Sequence, residues 1–382
     1  MKLVKGVLGA TMAAMLLTGC NSLGIVQGEG NTVVVSEDVV LESIITDAKV
    51  AVSQPEQISL DQKINHRELL KIDENQILYM KDNSLYSTNL NHSSPNLIKE
   101  LPVRELSNDG RKALSVENGT ISIYNIETGE TAEFTDLDES IDGISFADPK
   151  GNYISYYSFE SSRLVIIDTN TAVKTLIDLN DLFNNPTNFS FSGSVIHNDD
   201  IYLRTHIQGE GSAIYKIKPD HSVEKIVSTK ELNDNIFDFE FVNDDLLVFN
   251  GIINKEPGIF LYDIPNQEAN KVVSGGTSSE GTWIPSYSIS PDGSKMLFNT
   301  ILHKGDEFLD NVFIATIENN NLSRSIQIIQ NAHLPAVIKI LAHWSNNSSA
   351  FFIPRTSQDI TGYDELTIEY ISVYKLDKIE TE

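Results

Sequence analysis

The sequence predicts an all-β protein: a seven-bladed β-propeller of four-stranded antiparallel blades, its ring closed by a strand near the N-terminus. Three observations predict it. Turn-forming clusters rich in Asp, Asn and Gly recur seven times between apolar runs, around Glu74, Asp109, Lys150, Asp199, Asp244, Asp292 and Asn347. Their mean spacing is about 45 residues, which is the length of a four-stranded blade. Each cluster is followed by a second alternating apolar strand that ends in Asp, Asn or Thr, and Val, Ile, Tyr and Phe fill these strands as β-structure prefers.

The units follow in order. The first pairs "LLKIDENQILYM" with "SLYSTNLN", the second "RELSNDGRKALSV" with "ISIYNIETGE". The third pairs "ISFADPKGNYISYY" with "LVIIDTNT", the fourth "SVIHNDDIYLRT" with "AIYKIKPD". The fifth pairs "FEFVNDDLLVFN" with "IFLYDIPNQ", the sixth "SISPDGSKMLFN" with "VFIATIENN". The seventh, "AHWSNNSSAFFI" with "ISVYKLDK", has about three strands: 338–344, 351–354 and 366–376. Asp, Asn and Gly at the turns tolerate the positive φ of tight hairpins. A lone four-stranded sheet leaves both apolar faces bare, so the units must stack, and a ring leaves no end uncovered. The stretch "AKVAVSQPEQISLD", residues 48–61, is the candidate strand that completes the last blade.

Upstream the chain changes character. Lys2 and Lys5 precede an apolar run over Val7–Leu17, a layout of export signals and too short for a comfortable span. The end, "LTGC", resembles the lipobox of bacterial lipoproteins. That resemblance implies cleavage before Cys20, a lipid on its thiol, and a mature protein tethered to a membrane. Cys20 is the only cysteine, so no disulfide is expected. The expected organisation is a signal peptide over 1–19, a lipidated linker over 20–46 and one propeller over 47–382. "SEDVVLESIITDAKV", inside the linker, also reads as an amphipathic helix. Asn21 is not the Asp that retains lipoproteins at the inner membrane of Gram-negative cells. The expected address is therefore the outer membrane there, or the outer face of the plasma membrane in Gram-positive cells.

The stretch Ser290–Phe298, "SPDGSKMLF", and less closely Leu106–Val116, resembles the TolB-like propeller repeat, a distant relative of WD repeats. The resemblance covers about residues 60–380 and implies the fold rather than a role.

Charge and motifs bound the function. With 54 acidic and 28 basic residues the net charge is −26, which repels nucleic acid. "GxSxG" is absent, "GTSSEG" has the wrong spacing, and the two "SxxK" strings, at Ser222 and Ser372, sit in expected strands, where that offset points the side chains to opposite faces. No metal site is expected: the eight His are scattered, and the acidic "TDLDES" offers at most weak Ca²⁺ binding. What remains is the channel mouth, where segments entering the innermost strands converge. By offset from the turns these carry Arg104, Asp142, Asn188, Trp283, Tyr287, Lys339 and His343, with Trp283 beside Pro285 offering a stacking surface. Core packing is the competing account for Trp283 and for Trp344. The expectation is a monomeric, non-catalytic envelope protein that binds a protein, peptide or glycan. The alternative is a lyase or lactonase-type enzyme with a metal at the mouth, acting on a carbohydrate or lactone.

Overall fold

The computed structural model describes residues 33–34 and 50–377, apart from 91–93, 136–140, 184–188, 209–210, 230–233, 279–280, 305–306, 333–341 and 356–366. Seven antiparallel sheets follow one another along the chain. Blades 1 to 5 have four strands each: 69–99, 103–134, 141–178, 189–228 and 235–274. Within each, neighbouring strands in sequence pair with one another. Blade 6 runs from Tyr287 to Ala332. A two-residue strand, Val33–Val34, lies parallel to its last strand. Blade 7 supplies three strands, His343–Trp344, Ala350–Arg355 and Thr367–Asp377.

The missing fourth strand of blade 7 comes from the other end of the chain. Glu56–Asn65 pairs antiparallel with Thr367–Asp377. Just upstream, Ala51–Val52 pairs with Leu376–Asp377. Ser53 ties this junction twice: its N–H donates to the Lys375 carbonyl, and its Oγ accepts from the Lys375 N–H at 3.0 Å. The closing strand is the one expected over 48–61, extended to Asn65. The helix considered over residues 36–50 falls almost wholly outside the described residues.

Strand alternation explains the core. Successive side chains point to opposite faces of a sheet, so each strand feeds two inter-blade wedges. In blade 5, Leu246 and Val248 pack against blade 6, whereas Leu247 and Phe249 pack against blade 4. Every pair of neighbouring blades has its own apolar cluster. The wedge between blades 7 and 1 is among them, joining Phe352, Ile371 and Val373 to Ile72, Ile77 and Tyr79. That wedge makes the array a ring. The first strands of blades 7, 1, 2 and 3 approach one another in succession, which places first strands at the axis.

The only helix among the described residues, Leu179–Leu182, links blades 3 and 4. The Asp178 carboxylate caps it, accepting from the Asn180 and Asp181 N–H groups at 3.0 and 3.2 Å.

Candidate functional site at the mouth of the channel

Antiparallel order divides the loops between two faces. The turns after the first and third strands of each blade lie on one, here the turn face. The hairpins after the second strand, and the connections to the next blade, lie on the other, the mouth face.

The turn face is stitched shut. Ser107 Oγ donates to Asp109 Oδ1 at 2.7 Å and accepts from the Lys112 N–H at 3.0 Å. Ser290 repeats this with Asp292 and Lys295 at 2.6 and 2.9 Å, and Ser345 with Asn347 and Ala350, both at 2.9 Å. Burial alone would raise the Asp292 pKa, but hydrogen bonds from Ser290 and Ser294 hold it at about 2. The turn glycine has a second duty besides its φ of +71°. A Cβ on Gly293 would lie 2.2 Å from the Val242 carbonyl oxygen of blade 5. Side chains then cross between blades: Lys112 Nζ donates to the Gly151 carbonyl at 3.0 Å, and His197, stacked on Phe241, meets Asp244 Oδ1 at 2.9 Å.

The innermost strands are different. In each of the first five blades the pairing with the second strand skips a residue. The extra residue is Leu70, Arg104, Ser192 and Phe237 in blades 1, 2, 4 and 5; in blade 3 the irregularity spans Gly143 and Ile144. A bulge breaks alternation and turns a side chain out of the sheet face. Four of these residues meet solvent, Arg104, Gly143, Ser192 and Phe237 all being exposed, whereas Leu70 is half-buried against the wedge between blades 1 and 2. Phe237 is 43% exposed, while Phe239, two residues on, is 4% exposed.

Beside this row an aromatic surface crosses from blade 3 to blade 4. Phe159, 59% exposed, sits edge-on to Tyr157, which stacks on Phe191 at 5.6 Å. Arg204 then fixes blade 4 to blade 5, donating to the Ser192 carbonyl at 2.6 Å and the Ile236 carbonyl at 2.8 Å. The strands carrying Phe191 and Phe237 are thereby held in register.

Below the bulges runs a polar belt. Lys71, Glu105, Ser145, Ser288 and His343 occupy the same place, two residues before the first residue of the turn that follows the innermost strand. Three of them bond to the following blade. Lys71 Nζ donates to the Asn108 carbonyl, Glu105 Oε2 accepts from the Phe146 N–H at 3.3 Å, and Ser288 Oγ accepts from Trp344 Nε1 at 3.0 Å. Burial pushes the Glu105 pKa up to about 7, against the pull of the Phe146 N–H and Arg104. Burial, with Lys71 nearby, lowers that of His343 to about 3. His343 Nε2 is shielded and has no hydrogen-bond partner among the described residues.

The residues expected at the mouth therefore divide. Arg104 is there, exposed on its bulge. Asp142 lies beside the blade 3 bulge, its backbone paired with Tyr157, its side chain outside what is described. Asn188 and Lys339 lie outside the described residues. Tyr287 is corrected: at 1% exposure it fills the wedge between blades 5 and 6, because the innermost strand of blade 6 pairs with the second without the skipped residue that turns Arg104 out of blade 2. Trp283 is half-buried in a separate hairpin, Gly276–Ser278 with Gly281–Trp283, its indole against Gly276. His343 belongs to the belt rather than the rim, and Trp344 is core. Among the described residues no group of three or more His, Cys, Asp or Glu converges on one point. Offset counting missed Phe159, Phe191 and Phe237. The signal was in "NIFDFEF", where three Phe at alternate positions exceed what one wedge takes.

The fold defines the class of the protein, a seven-bladed β-propeller. No family model matches the chain, and no curated protein matches it in sequence. Solved structures match it in shape. A chain of a mitotic checkpoint complex superposes with a TM-score of 0.50 at 13% identity, covering 90% of this chain and 99% of that one. The β-propeller domain of Cps50 (Swd1) from Myceliophteria thermophila gives 0.48 at 11% identity, covering 84% of this chain and 100% of that domain. The WD40 domain of coronin from Toxoplasma gondii gives 0.47 at 9%, with coverages of 88% and 90%. At such identities the likeness is one of fold alone.

Proposed function

We propose that this chain is a lipid-anchored, extracytoplasmic propeller, TolB-like in its repeat, that binds a protein, peptide or glycan partner in a bacterial cell envelope without catalysing a reaction. One observation carries the binding reading: the innermost strands break their own pairing to present Arg104, Ser192 and Phe237 at the mouth. Regular pairing would have sent these side chains into wedges. A rigid ring with irregular, exposed inner residues fits a binding surface, since the scaffold holds the contact groups in place without refolding. The anchor rests on the "LTGC" sequence and the solitary Cys20. Two or three acyl chains hold a protein at a bilayer stably where one does not.

Two experiments test the reading. An alkyne fatty acid fed to cells is expected to label the protein, and Cys20→Ala to abolish the label and release the protein from membranes; a labelled or still membrane-bound C20A variant overturns the anchor. A photo-crosslinking amino acid at position 237 is expected to trap an envelope component in intact cells, whereas one at Asp245 on the turn face traps none. Equal capture at both positions, or at neither, overturns the binding surface.

A further inference from the structure

We infer that the segment upstream of the ring is clamped to the rim of blade 6, so that the ring stands on its bilayer by that rim, with blades 2 and 3 farthest from the membrane and the mouth opening sideways. This inference rests on the lipid anchor proposed above and names the surface that meets the membrane.

The rim of blade 6 is built to be covered. An outermost strand leaves one row of backbone N–H and C=O groups unpaired, and charged side chains guard such edges. The outer strands of blades 1 to 5 carry Lys99, Glu133, Lys174, Glu224 and Lys271, and that of blade 7 carries Glu56 and Lys63. The outer strand of blade 6, Ile326–Ala332, reads "IQIIQNA" and has no charge. Its first four residues are buried, whereas the outer strands of blades 1 to 5 begin on exposed residues. Val33–Val34 takes the free edge of this uncharged strand, Val33 opposite Ile326 and Val34 opposite Gln327. Val50 and Val52, where the closing strand begins, share one apolar cluster with Ile326, Ile328 and Ile329. The segment is thus fastened twice on one side of the ring.

Chain length turns the clamp into an orientation. Val50 lies 30 residues beyond Cys20, about 100 Å of fully extended chain. A tether of that length passes beneath any part of a ring roughly 50 Å across and selects no stance. Val33 lies 13 residues beyond Cys20, about 45 Å at full stretch, so a bilayer under the far rim of blades 2 and 3 is out of reach.

The pairing also sets a direction. Val33–Val34 runs parallel to Ile326–Gln327, and that strand rises from the turn face to the mouth face. The chain towards Cys20 therefore leaves at the turn end of the rim, away from the mouth. The turn face itself is unsuited to lie flat. Its exposed carboxylates, among them Glu127, Asp199, Asp220, Asp244 and Asp245, outnumber exposed cations such as Arg111, Lys150 and Lys218, and anionic phospholipid repels them. The rim is the surface left for the bilayer.

The test uses the mature, lipidated protein in vesicles of phosphatidylethanolamine and phosphatidylglycerol that carry a headgroup-linked energy-transfer acceptor. The thiol of Cys20 is taken by its lipid, so an introduced cysteine is the one free thiol and takes the donor dye. Transfer from Gln330→Cys, on the outer strand of blade 6, is expected to exceed that from Thr175→Cys, on the outer strand of blade 3, severalfold. Glu256→Cys and Asp245→Cys, at the mouth and turn ends of blade 5, are expected to give similar, intermediate transfer. Val33→Pro with Val34→Pro removes the N–H groups of the clamp and is expected to erase the difference between positions 330 and 175. A Gly/Ser insertion after Ser22 that doubles the tether is expected to reduce it while leaving every residue of the ring in place. Equal transfer from 330 and 175, stronger transfer from 245 or 256 than from 330, or a difference that survives both the prolines and the insertion overturns the inference. Flotation of the vesicles separates the two claims: protein that floats but shows no preferred rim leaves the anchor standing, and protein that does not float overturns both.

Discussion

The two faces of the ring are made from the same seven units and differ in how regularly those units pair. On the turn face, Ser–Asp and Ser–Asn networks recur with nearly the same distances in blades 2, 6 and 7. On the mouth face, five inner strands slip by one residue, each with a different side chain at the slip. The repeated elements hold the blades together, whereas Arg104, Gly143, Ser192 and Phe237 among the unrepeated ones are exposed. Stability thus resides at one end of the strands, and the recognition proposed above is placed at the other.

The largest effect that tests this division is removal of the closing strand. Deleting residues 21–45 is expected to leave the melting temperature nearly unchanged, while deletion through residue 65 opens the wedge between blades 7 and 1 and abolishes the cooperative transition. Equal effects of the two deletions would separate closure from stability. Next are paired glycine substitutions. Gly293→Ala on the turn face sets a methyl against the fixed Val242 carbonyl and is expected to cost about 3 kcal/mol in chemical denaturation. Gly143→Ala on the mouth face meets only a ring at 3.6 Å, so about 1 kcal/mol for its positive φ is expected.

Two titrations sharpen the contrast. Asp292 is held at about 2, below its ordinary 3.8, so its stabilisation is present above 3.8 and lost as the pH falls towards 2. Asp292→Ala is expected to cost about 1–2 kcal/mol at pH 7 and much less at pH 2, measured by urea unfolding. Glu105 is raised from 4.5 to about 7, so the folded ring favours its neutral form. Its penalty is absent below 4.5, grows as the pH rises and is complete above 7. Glu105→Gln is therefore expected to stabilise the protein by about 1–2 kcal/mol at pH 8 and to change little at pH 4. The smallest effect on stability is expected at the mouth: Phe237→Ser should shift unfolding by no more than about 0.5 kcal/mol while removing the crosslink at that surface.

Much of the ring was legible because period and alternation are sums over many residues. The seven turns fall where Glu74 through Asn347 mark them, and the closing strand lies where the seventh unit runs short. The mouth was less legible, because a bulge is a single-residue event. Arg104 and Phe237 stand in strands whose apolar pattern reads as regular, and only the pairing with the second strand reveals the skipped residue. Tyr287 failed for the opposite reason. The innermost strand of blade 6 pairs residue for residue with the second, Tyr287 with Phe298 and Ser288 with Leu297, so the position that carries Arg104 on a bulge in blade 2 points into the wedge here, and an aromatic expected at the rim became core. The belt was invisible in sequence because Lys71, Glu105, Ser288 and His343 share a position without sharing a chemistry.

The strand over Glu56–Asn65 also sets an order of events during synthesis. It leaves the ribosome about 300 residues before its partner, Thr367–Asp377. Throughout that interval six blades are made while the first-made strand has nothing to pair with. Closure is then a late step across the greatest sequence separation in the chain, and the bare edge of the seventh sheet will accept the same strand from a second molecule until its own arrives. At high concentration refolding should therefore yield exchanged dimers joined at this one seam, in a proportion that rises with protein concentration.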